Sequence, residues 1–399
     1  VWDVDGRKYL DFTSGIAVTS TGHCHPDVVR AIKRQAEKLI HMSGTDFHYE
    51  VQVELAELLC EIAPGRFAKR VFFANSGAES VEAALKMARY NTRRDKFIAF
   101  FGAFHGRTFG ALSLTASKAV QRERFSPLVP TVIHVPYAYC YRCPFGLERS
   151  SCELHCLRFI EEQVFETIAP PDEIAAIVVE PIQGEGGYIV PPKGFLKGLQ
   201  ALCRRHGILF IADEVQTGMG RTGRMFACEH FGIVPDAITV AKGIASGLPL
   251  GALVARSKLL EWRSGAHANT FGGNPISCAA ALETIRLLRE GLIENAARMG
   301  TVLRARLEEL MEKYDFIGDV RGIGLMQAIE IVKDRVSKAR DEKLRDGLIY
   351  RSFVEGLLLL PCGPSSIRFV PQLGVSEGEI DRAMRLFERA IDKAWRGRR

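Results

Sequence analysis

Two apolar runs in the middle of the chain each end on a side chain that can do chemistry. Ile208 to Ala212 delivers Asp213, and Ala237 to Ala241 delivers Lys242. Runs of this length, rich in Ile, Val and Phe and bounded by Gly and Pro, read as buried parallel strands. Ligands of an open α/β sheet bind beyond the carboxyl ends of its strands, so a carboxylate and an amine would share one sheet edge. Such a lysine can form a Schiff base with an aldehyde, and such an acid can keep a pyridine nitrogen protonated. Many α/β sheets end strands in polar residues without any chemistry, so the pair must be weighed with the rest of the chain.

Other segments add to it. Arg70 to Ala74 (RVFFA) reads as a strand running into Asn75-Ser76-Gly77-Ala78-Glu79 and then a helix. Small residues at a helix N-terminus can turn backbone N–H groups toward a phosphate. The same residues also form a good cap, with Ser76 at the N-cap and Glu79 completing a capping box. Phe104, His105 and Arg107 follow the strand Phe97 to Phe101. The aromatic ring could face a planar cofactor, and the guanidinium could hold a carboxylate or simply make a surface ion pair. Glu185 lies among glycines past the strand Ala175 to Glu180. An aldehyde-bearing planar phosphate, pyridoxal phosphate, suits this set.

Some patterns lead elsewhere. Cys140, Cys143, Cys152 and Cys156, beside His155, are spaced permissively for zinc or an iron–sulfur cluster. A disulfide or plain thiols fit them as well. Gly218 to Gly223 (GMGRTG) matches a dinucleotide fingerprint but lacks a strand leading directly into it. The run ILFIADE looks like a nucleotide-binding strand, yet no partner phosphate loop of the G-x-x-x-x-G-K-[ST] type exists in the chain.

The elements that must position these residues belong to an α/β chain. At 399 residues it can bury a large core in one or two domains. Its 47% hydrophobic and 25% charged residues are those of an ordinary globular protein. The net charge of +6 is scattered, with only Arg396, Arg398 and Arg399 clustered, which argues against nucleic-acid binding. No apolar run is long enough to span a membrane. Ten mostly isolated cysteines suit a reducing cytoplasm. The abrupt opening on strand-like residues suggests a trimmed N-terminus. Val1 to Phe12 alternates around Asp5-Gly6 as a hairpin. Helices are expected at 26–42, 49–63, 193–206, 296–314 and 376–395, with VRGIGLMQAIEI (320–331) and SIRFVPQ (366–372) as strands. The change of pattern near Glu290 marks a second, smaller α+β unit with which the hairpin packs.

NSGAE, AFHGRT, EPIQGEGG, IADEVQTGMGRTG, AKGIASGLPLGA and TFGGNP occur in this order. With them the chain resembles the class III aminotransferases, pyridoxal-phosphate enzymes of fold type I that include 4-aminobutyrate, ornithine and acetylornithine aminotransferases. The resemblance extends from DGRKYLDFTSGIAV to IRFVPQL. It implies a large domain, 26–286, with a mostly parallel seven-stranded sheet, and a small α+β domain made of 1–25 and 287–399. It also implies that Lys242 holds the cofactor and moves the proton, and that Asp213 pairs with the pyridinium. Phe104 and Val215 would face the ring, with His105 nearby, and Gln216 would meet the ring hydroxyl. Ser76, Gly77 and Ala78 would bind phosphate, joined by Thr270 from a second subunit, so a homodimer, or a dimer of dimers, is implied. Arg368 would grip the carboxylate of glutamate or 2-oxoglutarate, Glu185 would neutralise it otherwise, and Ile16 and Arg107 would line the substrate pocket.

The expected reaction moves an amino group, such as the ω-amine of 4-aminobutyrate, to 2-oxoglutarate in two half-reactions. Ornithine or acetylornithine donors are alternatives. Archaeal racemases resemble the same family but tend toward Asp where this chain has Glu185. The iron–sulfur cysteines of the mammalian 4-aminobutyrate enzymes precede the AFHGRT loop and do not align with the four here, so no metal is carried over.

Overall fold

A computed structural model describes residues 1–396. Arg398 and Arg399 of the basic tail lie outside the described residues. Among the described residues thirteen strands occur in chain order: β1 (Leu10–Asp11), β2 (Lys69–Ala74), β3 (Lys96–Phe100), β4 (Val132–Val135), β5 (Ile174–Val179), β6 (Leu209–Asp213), β7 (Ala237–Val240), β8 (Gly251–Arg256), β9 (Ile317–Ile323), β10 (Met326–Ile331), β11 (Leu357–Leu358), β12 (Leu360–Cys362) and β13 (Ser366–Phe369).

Seven of them form one sheet in the order β2-β8-β7-β6-β5-β3-β4. The pairs from β7 to β4 are all parallel, while β8 runs antiparallel to both β2 and β7. Every residue of β5 and β7 is buried, as a sheet covered on both faces requires. Because β8 alone is reversed, the carboxyl ends of β2, β3, β5, β6 and β7 and the start of β8 gather at one edge. That edge carries the site.

A second sheet, β12-β13-β10-β9, is antiparallel throughout. Here VRGIGLMQAIEI proves to be two strands rather than one. The chain reverses between Ile323 and Met326, with Gly324 at φ +56°, a conformation that glycine adopts without steric cost. The whole stretch is apolar-rich with few charges, which is why the sequence reads as a single strand. The two-residue β1 pairs in parallel with β11, and Tyr9 stacks on Phe353, so the N-terminal hairpin does pack with the C-terminal part.

Helix ends shift by a few residues from expectation. The helix at 26 stops at Lys38, Glu50–Ile62 and Phe195–His206 start slightly late, and Ile293–Lys313 starts early. Glu377–Arg396 closes the chain. Pro275–Leu287 and Ile293–Lys313 are separated by a kink with Gly291 at φ +141°. No helix among the described residues is long and apolar enough to cross a membrane.

Candidate active site

Three adjacent strands, β7, β6 and β5, and β2 on the far side of β8 each bring a functional group to the shared edge. β6 ends on Asp213, which is 2% exposed and held from three sides. Its Oδ1 accepts hydrogen bonds from Val215 N and Thr239 Oγ1, each at 3.0 Å, and its Oδ2 lies 2.7 Å from His105 Nδ1. Burial lowers the His105 pKa, but the hydrogen bond and charge of Asp213 outweigh it and leave the imidazole raised. Held in this way, the Asp213 carboxyl lines the cavity and can face a cationic neighbour there.

β7 stops at Val240, and two residues later Lys242 sits at φ +47°, strained backbone for a non-glycine residue. Its amine is lowered to about 8, by desolvation first and by the charge of Arg368 next, while Asp213, Glu180 and Glu185 act in the other direction. An amine at that level is partly unprotonated near neutral pH, as a nucleophile or proton carrier must be.

β5 runs into Glu180, which the sequence reading passed over. It is 5% exposed, and its two oxygens accept from Phe104 N (2.9 Å) and Gly184 N (2.8 Å). Burial pushes its carboxyl up to about 7. Glu180 therefore ties the loop carrying Phe104 to the glycine loop carrying Glu185. The signal was present in the sequence: an apolar run ended by an acid, as at Asp213.

β2 ends at the helix Gly77–Thr92, capped by Ser76 Oγ accepting from Glu79 N at 3.2 Å. Glu79 reaches back to Asn75, N and Nδ2, at 2.7 and 2.8 Å, so the capping box closes one residue earlier than expected. The first helical turn leaves the N–H groups of Gly77 and Ala78 outside the helix ladder. A Cβ at Gly77 would lie 2.8 Å from Val215 Cγ1, so a side chain there would fill the cradle.

Ser76, Gly77, Ala78, Phe104, His105, Asp213, Val215, Gln216 and Lys242 all line one cavity of about 370 Å³. Val18 and the segment before β8, Gly247 to Leu250, complete its wall. Inside it, His105 Nε2 and Gln216 Oε1 are buried without a hydrogen-bond partner. An amine, a charge-backed carboxylate, helix N–H groups and an unpaired amide oxygen fit pyridoxal phosphate.

Arg368, on β13, is 5% exposed, and its Nη1 lies 3.5 Å from Glu185 Oε2, an ion pair that makes no hydrogen bond. Its Nε and Nη1 make no hydrogen bond. Glu185 also meets Lys118 Nζ at 2.6 Å, a residue the sequence did not single out. Ile16, Arg107 and Thr270 are exposed, and neither they nor Glu185 and Arg368 line this cavity. The Arg107 guanidinium lies 5.9 Å over the Phe104 ring and borders a separate cleft with Phe109 and Phe125.

Cys140, Cys143, Cys152 and Cys156 are free thiols around one small cavity. Among the described residues no group of three or more His, Cys, Asp or Glu side chains is arranged to hold a metal. GMGRTG forms turns rather than a nucleotide loop: Arg221 is fully buried and donates to Leu325 O and Pro371 O, tying the loop to the second sheet.

This sheet edge is a pyridoxal-phosphate site on a fold type I scaffold. The pattern described as "Aminotransferase class-III" matches residues 1–391, and the chain belongs to that family. It is 40% identical over 395 residues to a probable 4-aminobutyrate aminotransferase of Bacillus subtilis, covering 98% of this chain and 90% of that protein. It is 39% identical to an alanine/serine racemase of Pyrococcus horikoshii, covering 99% and 84%. An amine transaminase from an uncultivated Pseudomonas species, solved in its PLP-bound form, superposes with a TM-score of 0.92 at 32% identity over 98% of this chain and 92% of that one. Pyridoxal 5'-phosphate is the cofactor of the family.

Proposed function

We propose that the protein moves an amino group from an ω-amino donor such as 4-aminobutyrate to 2-oxoglutarate, in two half-reactions. The observation that carries this reading is Arg368, a buried guanidinium with two unpartnered nitrogens, facing Glu185 beside Lys242. A carboxylate of an oxo acid can fill that gap with paired, charge-assisted hydrogen bonds. When the donor's amine-bearing end enters instead, Glu185 neutralises the guanidinium, which is costly to leave unpaired.

Bound pyridoxal phosphate supplies an aldehyde and an electron-withdrawing ring that acidifies the C–H of an attached amine. Lys242 Nζ would take the proton from the substrate carbon bearing the nitrogen and deliver it to the cofactor side of that nitrogen, a transfer that its lowered pKa permits. Asp213, fixed by Thr239 and His105, holds positive charge at the ring nitrogen. Gln216 orients the ring hydroxyl, Phe104 and Val215 hold the ring plane, and Ser76, Gly77 and Ala78 receive the phosphate. Thr270, exposed and remote from its own cavity, serves the site of a second copy in a homodimer, and Ile16 and Arg107 shape the outer pocket. Residues 26–286 and 1–25 with 287–399 act as two domains, a division supported by the separate sheets and the kink at Gly291.

The test is a donor panel: 2-oxoglutarate with 4-aminobutyrate, acetylornithine, ornithine, lysine or β-alanine, measuring glutamate. Glutamate from 4-aminobutyrate supports the reading, glutamate only from ornithine or acetylornithine moves the donor, and none at all overturns the role of Arg368. A second reading, an amino-acid racemase, is favoured by the similarity to the Pyrococcus enzyme. Racemisation of single L-amino acids without any oxo acid would establish it.

A further inference from the structure

Glu185 has two cationic neighbours, and the nearer one is not the arginine. Lys118 Nζ lies 2.6 Å from Glu185 Oε1, whereas Arg368 Nη1 lies 3.5 Å from Oε2. The Glu185 side chain is 19% exposed and that of Lys118 35%, so the pair is partly shielded from solvent. Both stems are anchored. Gly102 N donates to Ala116 O and Ala116 N to Ala103 O, pinning the segment before Lys118 to the turn after β3. Gly363 N donates to Glu185 O, and Arg321 Nε to Gly187 O, fixing the backbone of the Glu185 loop against the second sheet. Only the Glu185 carboxylate is left free to choose between its two partners.

We propose that Lys118 is a positioning residue that sets the acceptor specificity of the site by drawing Glu185 away from Arg368. This rests on the reading of Arg368 as the carboxylate receptor. A carboxylate arriving at Arg368 must displace Glu185 or be repelled by it. With Lys118 in place, the displaced Glu185 keeps a charged partner 2.6 Å away, so yielding the arginine leaves no carboxylate unpaired. Without Lys118, Glu185 has Arg368 as its one remaining partner and competes with the incoming carboxylate. An amino donor that leaves Glu185 and Arg368 together gains nothing from Lys118.

The test uses the holoenzyme and glutarate, an unreactive dicarboxylate, titrated by calorimetry. Lys118→Met should weaken glutarate binding roughly five- to tenfold, the scale of one partly buried ion pair. Lys118→Arg should restore it. In a Glu185→Ala background, Lys118→Met should have no effect, because the lysine acts through Glu185. In the two half-reactions, Lys118→Met should raise KM for 2-oxoglutarate by a similar factor, with kcat and the KM for the amino donor unchanged. Unaltered glutarate binding in Lys118→Met, an equal loss in the Glu185→Ala background, or an equal rise in both KM values would overturn the proposal. Arg368→Gln separates the two levels. If it binds glutarate as tightly as the unaltered protein, the receptor reading fails and takes this inference with it. If it loses binding while Lys118→Met does not, only the inference on Lys118 fails.

Discussion

Two buried arginines flank the same residue of the second sheet, and their surroundings are opposite. Arg321 on β9 and Arg368 on β13 both pair in register with Ala328 of β10. Arg321 is saturated: it donates to Asp319 Oδ2 (3.0 Å), Glu330 Oε2 (2.7 Å), Ser366 Oγ (2.6 Å) and Gly187 O (2.7 Å). Arg368 has two nitrogens with nothing to bond and one carboxylate at 3.5 Å. The first arrangement is a scaffold that holds the glycine loop. The second is a receptor, and the energy withheld there is available to a ligand. Neither buried charge nor unpartnered nitrogens alone mark a binding site, since the fully buried Arg221 also has Nε and Nη2 without a hydrogen-bond partner; Arg368 differs in facing a carboxylate, Glu185, that has a second cation to turn to.

The difference predicts which substitutions harm activity and which harm the fold. Lys242→Ala marks the functional extreme. It should lower kcat by about a thousandfold or more, while a thermal melt of the variant shows stability kept, since it removes a desolvated amine. Arg321→Gln marks the structural extreme. It leaves Glu330 with Arg142 as its sole charged partner and should cost about 3 kcal/mol in urea unfolding. Arg368→Gln should do the reverse of Arg321→Gln. Stability should change little, and KM for 2-oxoglutarate should rise roughly 10- to 100-fold, the range of a charge-assisted pair. If Arg368→Gln unfolded the protein as readily as Arg321→Gln, the contrast would collapse.

Two buried carboxylates sharpen it further through pH. Glu330 is raised by burial, but Arg321 and the hydroxyls of Ser365 and Ser366 pull it to about 2. A depressed acid contributes stability above its ordinary value near 4.5 that is lost as pH falls through about 2. Glu180 has its carboxyl raised to about 7 by burial, so its contribution is full below about 4.5 and is lost as pH rises through about 7. Urea midpoints should show Glu330→Gln flattening the acid limb and Glu180→Gln flattening the limb between about 4.5 and 7, each on the order of 1 kcal/mol.

Much of the cradle was legible in the sequence because its parts are local. An apolar run ending in a charged residue announces both a strand and what stands at its end, which is how Asp213 and Lys242 were found. The cap at Ser76 and Glu79 is likewise written within a few residues. The reversal of β8 was not legible, since a short apolar strand looks the same in either direction. Nor was the contrast between Arg321 and Arg368, because saturation depends on Glu330, Ser366 and Gly187, which come together only in the folded chain. Lys118 was missed for the same reason. Its partner is 67 positions away, and with Arg122, Glu123 and Arg124 close by it reads as one more charge of a solvated segment. The split of β9 from β10 at Gly324 was hidden because the turn is short and apolar residues stand on both sides of it.

The most direct test of the account follows the nitrogen itself. Incubate the holoenzyme with 15N-labelled 4-aminobutyrate and 2-oxoglutarate, and compare it with Arg368→Gln at the same oxo-acid concentration. The account predicts labelled glutamate formed one for one with donor consumed, and a slow, concentration-hungry reaction in the variant. Inversion of a single L-amino acid with no oxo acid present, and no label in glutamate, would contradict it.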